Sequence, residues 1–389
     1  MHAPEGPAGH MSRMASIAAA ISAITVVGVG LSLSIPLLAL ELEGRGISSF
    51  WIGINTAMAG VATIFTAPFV PMLVRRLGLR ALLVAAILLA ALSLLGFKAA
   101  PSFVLWFPLR FAFGAALCIL FAVSEFWINT LAPRDRRGLV MGIYATALSI
   151  GAALGPAILS VLGAAGWAPY VAGAVVLAAG MVPIVLANGM TPRIHDDDEH
   201  HGVLTFVRRS PSAVLAALVF GAIETAVMTF LPLYGLRLGL TEGNAALLLT
   251  AAVLGNVAFQ IPLGLISDKV DRRILLLACS VVGAAGALTL PFVPVSSSLF
   301  LAMIFLATGV VGSLYTVGLA HLGERFHGAD LAAANAAFVM LYSVGLIIGP
   351  PLAGFGMKLY DPYGFAFVIC GMLSLYALVV ATRLAARAR

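Results

Sequence analysis

Apolar stretches of about 20 residues or more alternate along this chain with short polar clusters, and that is the length a helix needs to cross a hydrocarbon core about 30 Å thick. The pattern predicts helices over residues 14–40, 50–74, 79–99, 102–131, 138–164, 168–188, 212–236, 243–267, 274–294, 297–322, 331–357 and 363–383. The expected class is an all-α integral membrane protein with twelve transmembrane helices. The first run is too long for a cleavable signal core and no clear small-residue cleavage site follows it, so it is expected to remain in the chain as a helix.

Composition agrees with this pattern. Hydrophobic residues make up 61% of the chain, against roughly 45–50% in a soluble domain, and the mean hydropathy is +1.08. The formal net charge of +6 invites a nucleic-acid partner until the cations are assigned to loops. With the N-terminus inside, seventeen lysines and arginines between Arg13 and Arg389 fall in inner loops, while only Arg45, Lys98, Arg237 and Lys358 fall in outer ones. So strong a positive-inside bias places both termini in the cytoplasm, with the chain in the inner (plasma) membrane, and makes the basic charge a topology signal rather than a nucleic-acid footprint. Cys118, Cys279 and Cys370 all lie within predicted spans without zinc-like spacing, and read as small apolar fillers.

Several chemistries are not encoded. None of the three lysines follows a glycine, so there is no phosphate-binding Gly-x-x-x-x-Gly-Lys-(Ser/Thr) loop, and no nucleophile-and-base pair stands outside the loops. Enzymatic activity, a cofactor and a resident metal are therefore not expected, and any work must draw on gradients. The polar run from His195 to His201 could ligate a divalent cation, but a solvated charge run is the simpler reading.

The chain also repeats itself. Gly151-x-x-x-Gly155-Pro156 in the fifth span recurs as Gly345-x-x-x-Gly349-Pro350 in the eleventh, 194 residues later. Pro36 echoes Pro232 at an offset of 196. A nearly constant offset through six spans predicts two six-helix bundles in parallel orientation, residues 1–188 and 212–389, joined by a polar linker over 189–211. Glycines four apart allow close helix approach, and the proline frees a carbonyl and bends the helix.

The charge-dense stretch Gly264-Leu-Ile-Ser-Asp268-Lys269-Val-Asp271-Arg272-Arg273 resembles the loop signature of the major facilitator superfamily, with Asp271 in place of the family's middle glycine. A weaker echo, Pro71 to Arg80 with Arg75, Arg76 and Gly78, lies 193 residues earlier. Arg110-Phe-Ala-Phe-Gly114 in the fourth span is similar to a second signature, in which the arginine is tied to proton coupling. Gly155-Pro156 matches part of an antiporter signature whose last two glycines are Leu159 and Ser160 in this chain. The stretches Ser124 to Asn129, Leu314 to Leu319 and Gly323 to Phe326 resemble the YcaD-like branch. The resemblance implies a monomeric secondary transporter of major facilitator fold in which two bundles rock around a midplane site. A small organic substrate, proton coupling, antiport and efflux are the expected function. Proton-coupled uptake of a metabolite, or a membrane sensor that binds a ligand without moving it, are the alternatives.

Ionisable groups within spans cost about 2.5–3.5 kcal/mol to insert and are candidate functional residues for that reason. They are Arg110, Glu125 and Glu224. Arg110, Gly114, Leu117, Phe121 and Glu125 share one helical stripe. The two charges stand about 22 Å apart along it, too far to pair. Glu224 falls near the bilayer midplane, where desolvation favours the neutral acid and a facing cation favours the carboxylate, as a proton carrier requires. The resemblance implies that the first, fourth, seventh and tenth helices line the cavity, so that Arg110 could approach Glu224; Tyr315 in the tenth is a further cavity candidate. A cytoplasmic gate is expected from the loop residues: Asp268, with Lys269, Arg272 and Arg273 beside it, meeting Arg136 or Arg137, and Arg75 meeting Asp330.

Overall fold

The computed structural model describes residues 7–131, 137–187 and 209–385. Among these, twelve helices are long and apolar enough to cross a membrane: α1 (Met14–Gly44), α2 (Ser49–Leu77), α3 (Leu79–Ala99), α4 (Phe103–Ile128), α5 (Gly142–Leu162), α6 (Ala168–Leu186), α7 (Pro211–Arg237), α8 (Glu242–Ser267), α9 (Arg272–Phe292), α10 (Ser298–Arg325), α11 (Ala333–Leu359) and α12 (Gly364–Ala385). These bounds lie within four residues of the expected ones, because the ends are set where apolar side chains give way to charge, glycine or proline. The protein is an all-α, twelve-helix membrane chain.

Packing divides the chain into two units, residues 1–37 with 61–196 and residues 38–60 with 197–389. Within lipid, helices gain little from hiding apolar surface against one another, so close van der Waals approach must hold them together. In unit 1 the glycines of α5 supply it. Gly151 lies against the backbone of Thr25 and Val29, Gly155 against Ser32 and Leu33, and Gly28 of α1 returns the approach against Leu148 and Ala152. Ser32 Oγ donates to the Gly151 carbonyl at 3.4 Å across this crossing.

Unit 2 repeats the arrangement. Gly345 of α11 lies against Leu218 and Ala222 of α7, Gly349 against Ala222, and Gly221 of α7 against the backbone of Tyr342. Pro156 and Pro350 sit inside α5 and α11, as Pro36 and Pro232 do inside α1 and α7. In their most apolar windows α1 is 83% buried and α7 is 72% buried, against 28% for α2 and α5, which makes α1 and α7 inner helices.

Residues 38–60 group with unit 2 for identifiable reasons. Gly53 packs on the backbone of Pro350, Gly60 on Ile347, and Gly354 of α11 on Ser49. The Arg237 guanidinium donates to Glu43 at 2.9 and 3.0 Å, to Ser49 Oγ at 2.7 Å and to Asp361 at 2.6 Å. One arginine fork thus ties the ends of α1 and α7 to the α11–α12 turn.

The two loop echoes differ in backbone. Gly78, between α2 and α3, has φ 79°, a conformation L side chains resist. Its counterpart Asp271 has φ −57° and caps α9, its carboxylate accepting from the Arg273 amide at 2.8 Å. The second turn therefore has no need of the family's middle glycine, and aspartate adds a cap worth about 1 kcal/mol there.

Candidate functional site

Glu224 is the central residue of the 27-residue helix α7. Tyr342 Oη of α11 donates to its carboxylate at 2.7 Å. The pair exists because Gly221 and Gly345 bring α7 and α11 together. Glu224 lies three residues beyond Gly221, and Tyr342 three before Gly345, so both lie on the faces that approach.

Aromatic rings surround the pair. Phe220 stacks on Tyr342 at 6.0 Å, Tyr315 lies edge-on to Tyr342 at 5.8 Å, and Phe338 lies edge-on to Tyr315 at 5.0 Å. Tyr315, Tyr342 and Leu341 pack in turn on a core of Ala213, Val214, Ala217, Leu322 and Phe338. On its other side Glu224 borders a cavity of about 80 Å³ among α7, α8, α9, α10 and α12, walled by residues such as Ile223, Val227, Val253 and Val311. Asn256 and Thr308 bring polar atoms to the same cavity. Asn256 Oδ1 accepts from Gln260 at 3.2 Å, and Thr308 Oγ1 donates to the carbonyls of Ala252 and Ile304 at 3.0 and 2.7 Å. The result is one ionisable group at the edge of an apolar cavity, held by a phenol.

Such a carboxyl can bind and release a proton, and its two states demand different surroundings. As a carboxylate it needs the donated hydrogen bond or a cation. As a neutral acid it tolerates the apolar wall.

In unit 1, Arg110 is 1% exposed in α4, within electrostatic reach of Tyr170 in α6. Trp106 and Phe97, buried and 5.1 Å apart, pack at the start of the same helix. The stripe predicted from Arg110 to Glu125 changes character along its length: Gly114 and Leu117 are buried with Arg110, whereas Phe121 and Glu125 are exposed. Beside Glu125, Ser124 hydrogen-bonds Tyr144 of α5 at 3.0 Å.

The gate residues fall as follows. Asp268 ends α8 and pairs with Arg272 at 3.3 Å, and Arg272 also reaches Glu324 at 3.0 Å. Arg273 is buried and donates to His321 Nε2 at 3.4 Å, while Lys269 is exposed. Asp330 meets Arg209 at 3.8 Å, and Arg75 is exposed near the end of α2. Arg136 and the side chain of Arg137 lie outside the described residues, as does the histidine–aspartate run of the linker.

By itself Tyr342 reads as interhelical hydrogen-bond glue, and nothing local marks Phe220. The signal was present: Gly221-x-x-Glu224 and Tyr342-x-x-Gly345 share a spacing, so two close-packing glycines already aimed the acid and the phenol at each other.

The comparisons with known proteins agree with this architecture. The Major Facilitator Superfamily model matches residues 17–249 and 213–389. The chain is 27% identical to an uncharacterized MFS-type transporter, YfkF, of Bacillus subtilis, over 90% of this chain and 91% of that one. It is 22% identical to the YcaD protein of Salmonella dublin, over 82% of each. Among solved structures, the nucleoside transporter NupG superposes with a TM-score of 0.75 at 13% identity, covering 96% of this chain and 98% of that one. A bacterial homologue of the human lysosomal transporter Spinster, inward-facing and occupied, gives 0.75 at 13% identity and 98% coverage of both. Identities so low speak for the fold alone, but the family model spans both halves of the chain, and with the YfkF and YcaD likenesses it decides the matter: this protein belongs to the Major Facilitator Superfamily of secondary transporters.

Proposed function

We propose that the protein moves a small organic molecule by alternating access and exchanges it for protons, exporting the molecule from the cell. Two six-helix bundles, residues 1–188 and 212–389, rock about a midplane site in the inner membrane, with the linker and both termini in the cytoplasm. Glu224 carries the proton, Tyr342 positions its carboxyl, and Arg110, Tyr315 and Glu125 belong to the substrate and proton pathway. The loop residues Arg75, Asp268, Lys269, Arg272, Arg273, Arg136, Arg137 and Asp330 serve the cytoplasmic gate.

The observation that carries this reading is the carboxyl of Glu224, placed at the middle of α7 against an apolar cavity and hydrogen-bonded to Tyr342. An ionisable group at that depth is costly unless it works. Export rather than uptake rests on the partial antiporter run Gly155-Pro156.

The test is proton movement in vesicles with an internal pH dye, challenged with a diverse compound panel, for wild type and Glu224→Gln. A compound whose exit is matched by proton entry in wild type and not in Glu224→Gln is the expected result. The opposite sign of coupling makes the protein an uptake system. Compounds that cross equally in both proteins without protons remove Glu224 from the mechanism. If nothing in the panel crosses, transport itself gives way to ligand sensing.

A further inference from the structure

At the end of unit 2 that carries the α8–α9 turn lies a second pocket, polar where the first is apolar, with a volume of about 720 Å³. Five arginines line it: Arg209, Arg272, Arg273, Arg325 and Arg383. Three carboxylates stand among them, Asp268, Asp271 and Glu324, and each already has a task. Asp268 and Glu324 are both engaged by Arg272. Asp271 caps α9.

Arg273 is 9% exposed, and among the described residues no carboxylate lies within ion-pair distance of it; its described side-chain partner is the neutral acceptor Nε2 of His321. Arg383, exposed at the end of α12, likewise has no described carboxylate partner. Arg325 donates to the Arg209 carbonyl at 3.0 Å and to Ser210 Oγ at 3.3 Å. A guanidinium buried with no anion is expensive unless something else supplies the charge. The first turn of α7 also borders the pocket, through Pro211 and Ser212, and Ser210 gives that helix no side-chain cap, so a helix start adds to the positive field.

We infer that this pocket binds a phosphate group, held by Arg273 and Arg383 at the start of α7. Setting aside Arg209, which Asp330 engages, four arginines face three carboxylates in the lining, an excess of positive charge that suits a phosphate group. The guanidinium fork matches phosphate oxygens two at a time. The phosphate comes either from a lipid headgroup at the membrane surface or from a soluble phosphate compound. The inference is independent of Glu224 and of the direction of transport, since it uses neither the apolar cavity nor α11.

The experiment uses the full chain in phosphatidylcholine nanodiscs. Inorganic phosphate is titrated in one arm, and phosphatidylglycerol is added to the discs in the other, with lipid retained after washing counted by mass spectrometry. Wild type, Arg273→Gln, Arg383→Gln and a control, Lys358→Gln at the far end of α11, are compared. Saturable phosphate binding in plain discs assigns a soluble ligand; selective retention of phosphatidylglycerol alone assigns a headgroup. Either result is expected to weaken about tenfold or more in Arg273→Gln and in Arg383→Gln, the size of one lost charge-assisted contact, and to persist in Lys358→Gln. Because Arg383 is exposed, its variant decides the matter even where Arg273→Gln fails to fold. If wild type takes up neither probe, or if Arg383→Gln binds as wild type does, the site does not exist.

Discussion

The α1–α5 crossing of unit 1 and the α7–α11 crossing of unit 2 are built alike and equipped differently. Gly28 rests on the backbone of Leu148, and Gly221 rests on the backbone of Tyr342. Gly151 and Gly155 return the approach in one unit, as Gly345 and Gly349 do in the other. Three residues beyond the first glycine, however, unit 1 has Leu31 where unit 2 has Glu224, and the residue under the glycine is Leu148 rather than Tyr342. Where one crossing has a leucine, and among the described residues only the Ser32 hydroxyl bonds across it, the other holds a hydrogen-bonded acid. A duplicated scaffold has kept the glycines that packing demands, while the side chains beside them have diverged toward chemistry in the second copy.

Overpacking the shared crossing gives the largest expected effect. Gly349→Leu drives a side chain into the backbone of Ala222, and should cost about 3 kcal/mol or more, or abolish folded protein, as should Gly155→Leu in unit 1. Thermal unfolding in detergent checks both. Equal losses sharpen the likeness of the two crossings; loss in one alone breaks it.

Next in size is the difference between the crossings. Removing proton transfer at a positioned group typically costs about a hundredfold or more, so Glu224→Gln should lower proton-coupled flux by at least that factor with little change in thermal midpoint. A variant that keeps full coupling would make Glu224 architectural and the two crossings functionally equivalent.

Tyr342→Phe keeps the ring that stacks on Phe220 and removes only the hydroxyl that donates to Glu224. A hydrogen bond to a charged acceptor is worth about 1.5–3 kcal/mol, so flux should fall by about tenfold or somewhat more, less than for Glu224→Gln. A loss equal to that of Glu224→Gln would mean that the phenol itself transfers the proton.

The smallest effects belong to the two turns. Gly78→Ala places a side chain at φ 79° and should cost about 1 kcal/mol. Asp271→Gly leaves the backbone at ease but removes a cap, a loss of a few tenths of a kcal/mol to about 1 kcal/mol. Thermal midpoints of the two variants measure whether glycine is required in the first turn and dispensable in the second.

The twelve spans and the duplication are legible in the sequence because each rests on local quantities. Residues 212–236 are predominantly apolar over the width of a bilayer whatever surrounds them, and Gly345-x-x-x-Gly349-Pro350 repeats the two glycines and the proline of Gly151-x-x-x-Gly155-Pro156 at the same spacing. Glu224 is legible too, since an acid inside an apolar run stands out by its insertion cost. Its environment is not. A tyrosine 118 residues away becomes its hydrogen-bond donor only when two helices cross at their glycines, and no window along the chain contains both. The Arg110 stripe makes the same point: helical period puts Arg110 and Glu125 on one face, but which part of that face is covered depends on neighbouring helices that the period does not contain. So too with Arg272, whose partner Glu324 lies 52 residues away, and with Arg273, whose burial beside His321 is a matter of where α10 ends.

By itself the sequence determined what the bilayer demands of any chain: twelve apolar spans, glycines at fixed intervals and an acid at the middle of the seventh span. Only the tertiary structure decided which side chains those glycines bring together, that a phenol holds the acid at an apolar cavity, and that five arginines converge on one polar pocket. The division follows from range. Insertion and helix formation are settled within a span, whereas a site is made where spans from distant parts of the chain meet.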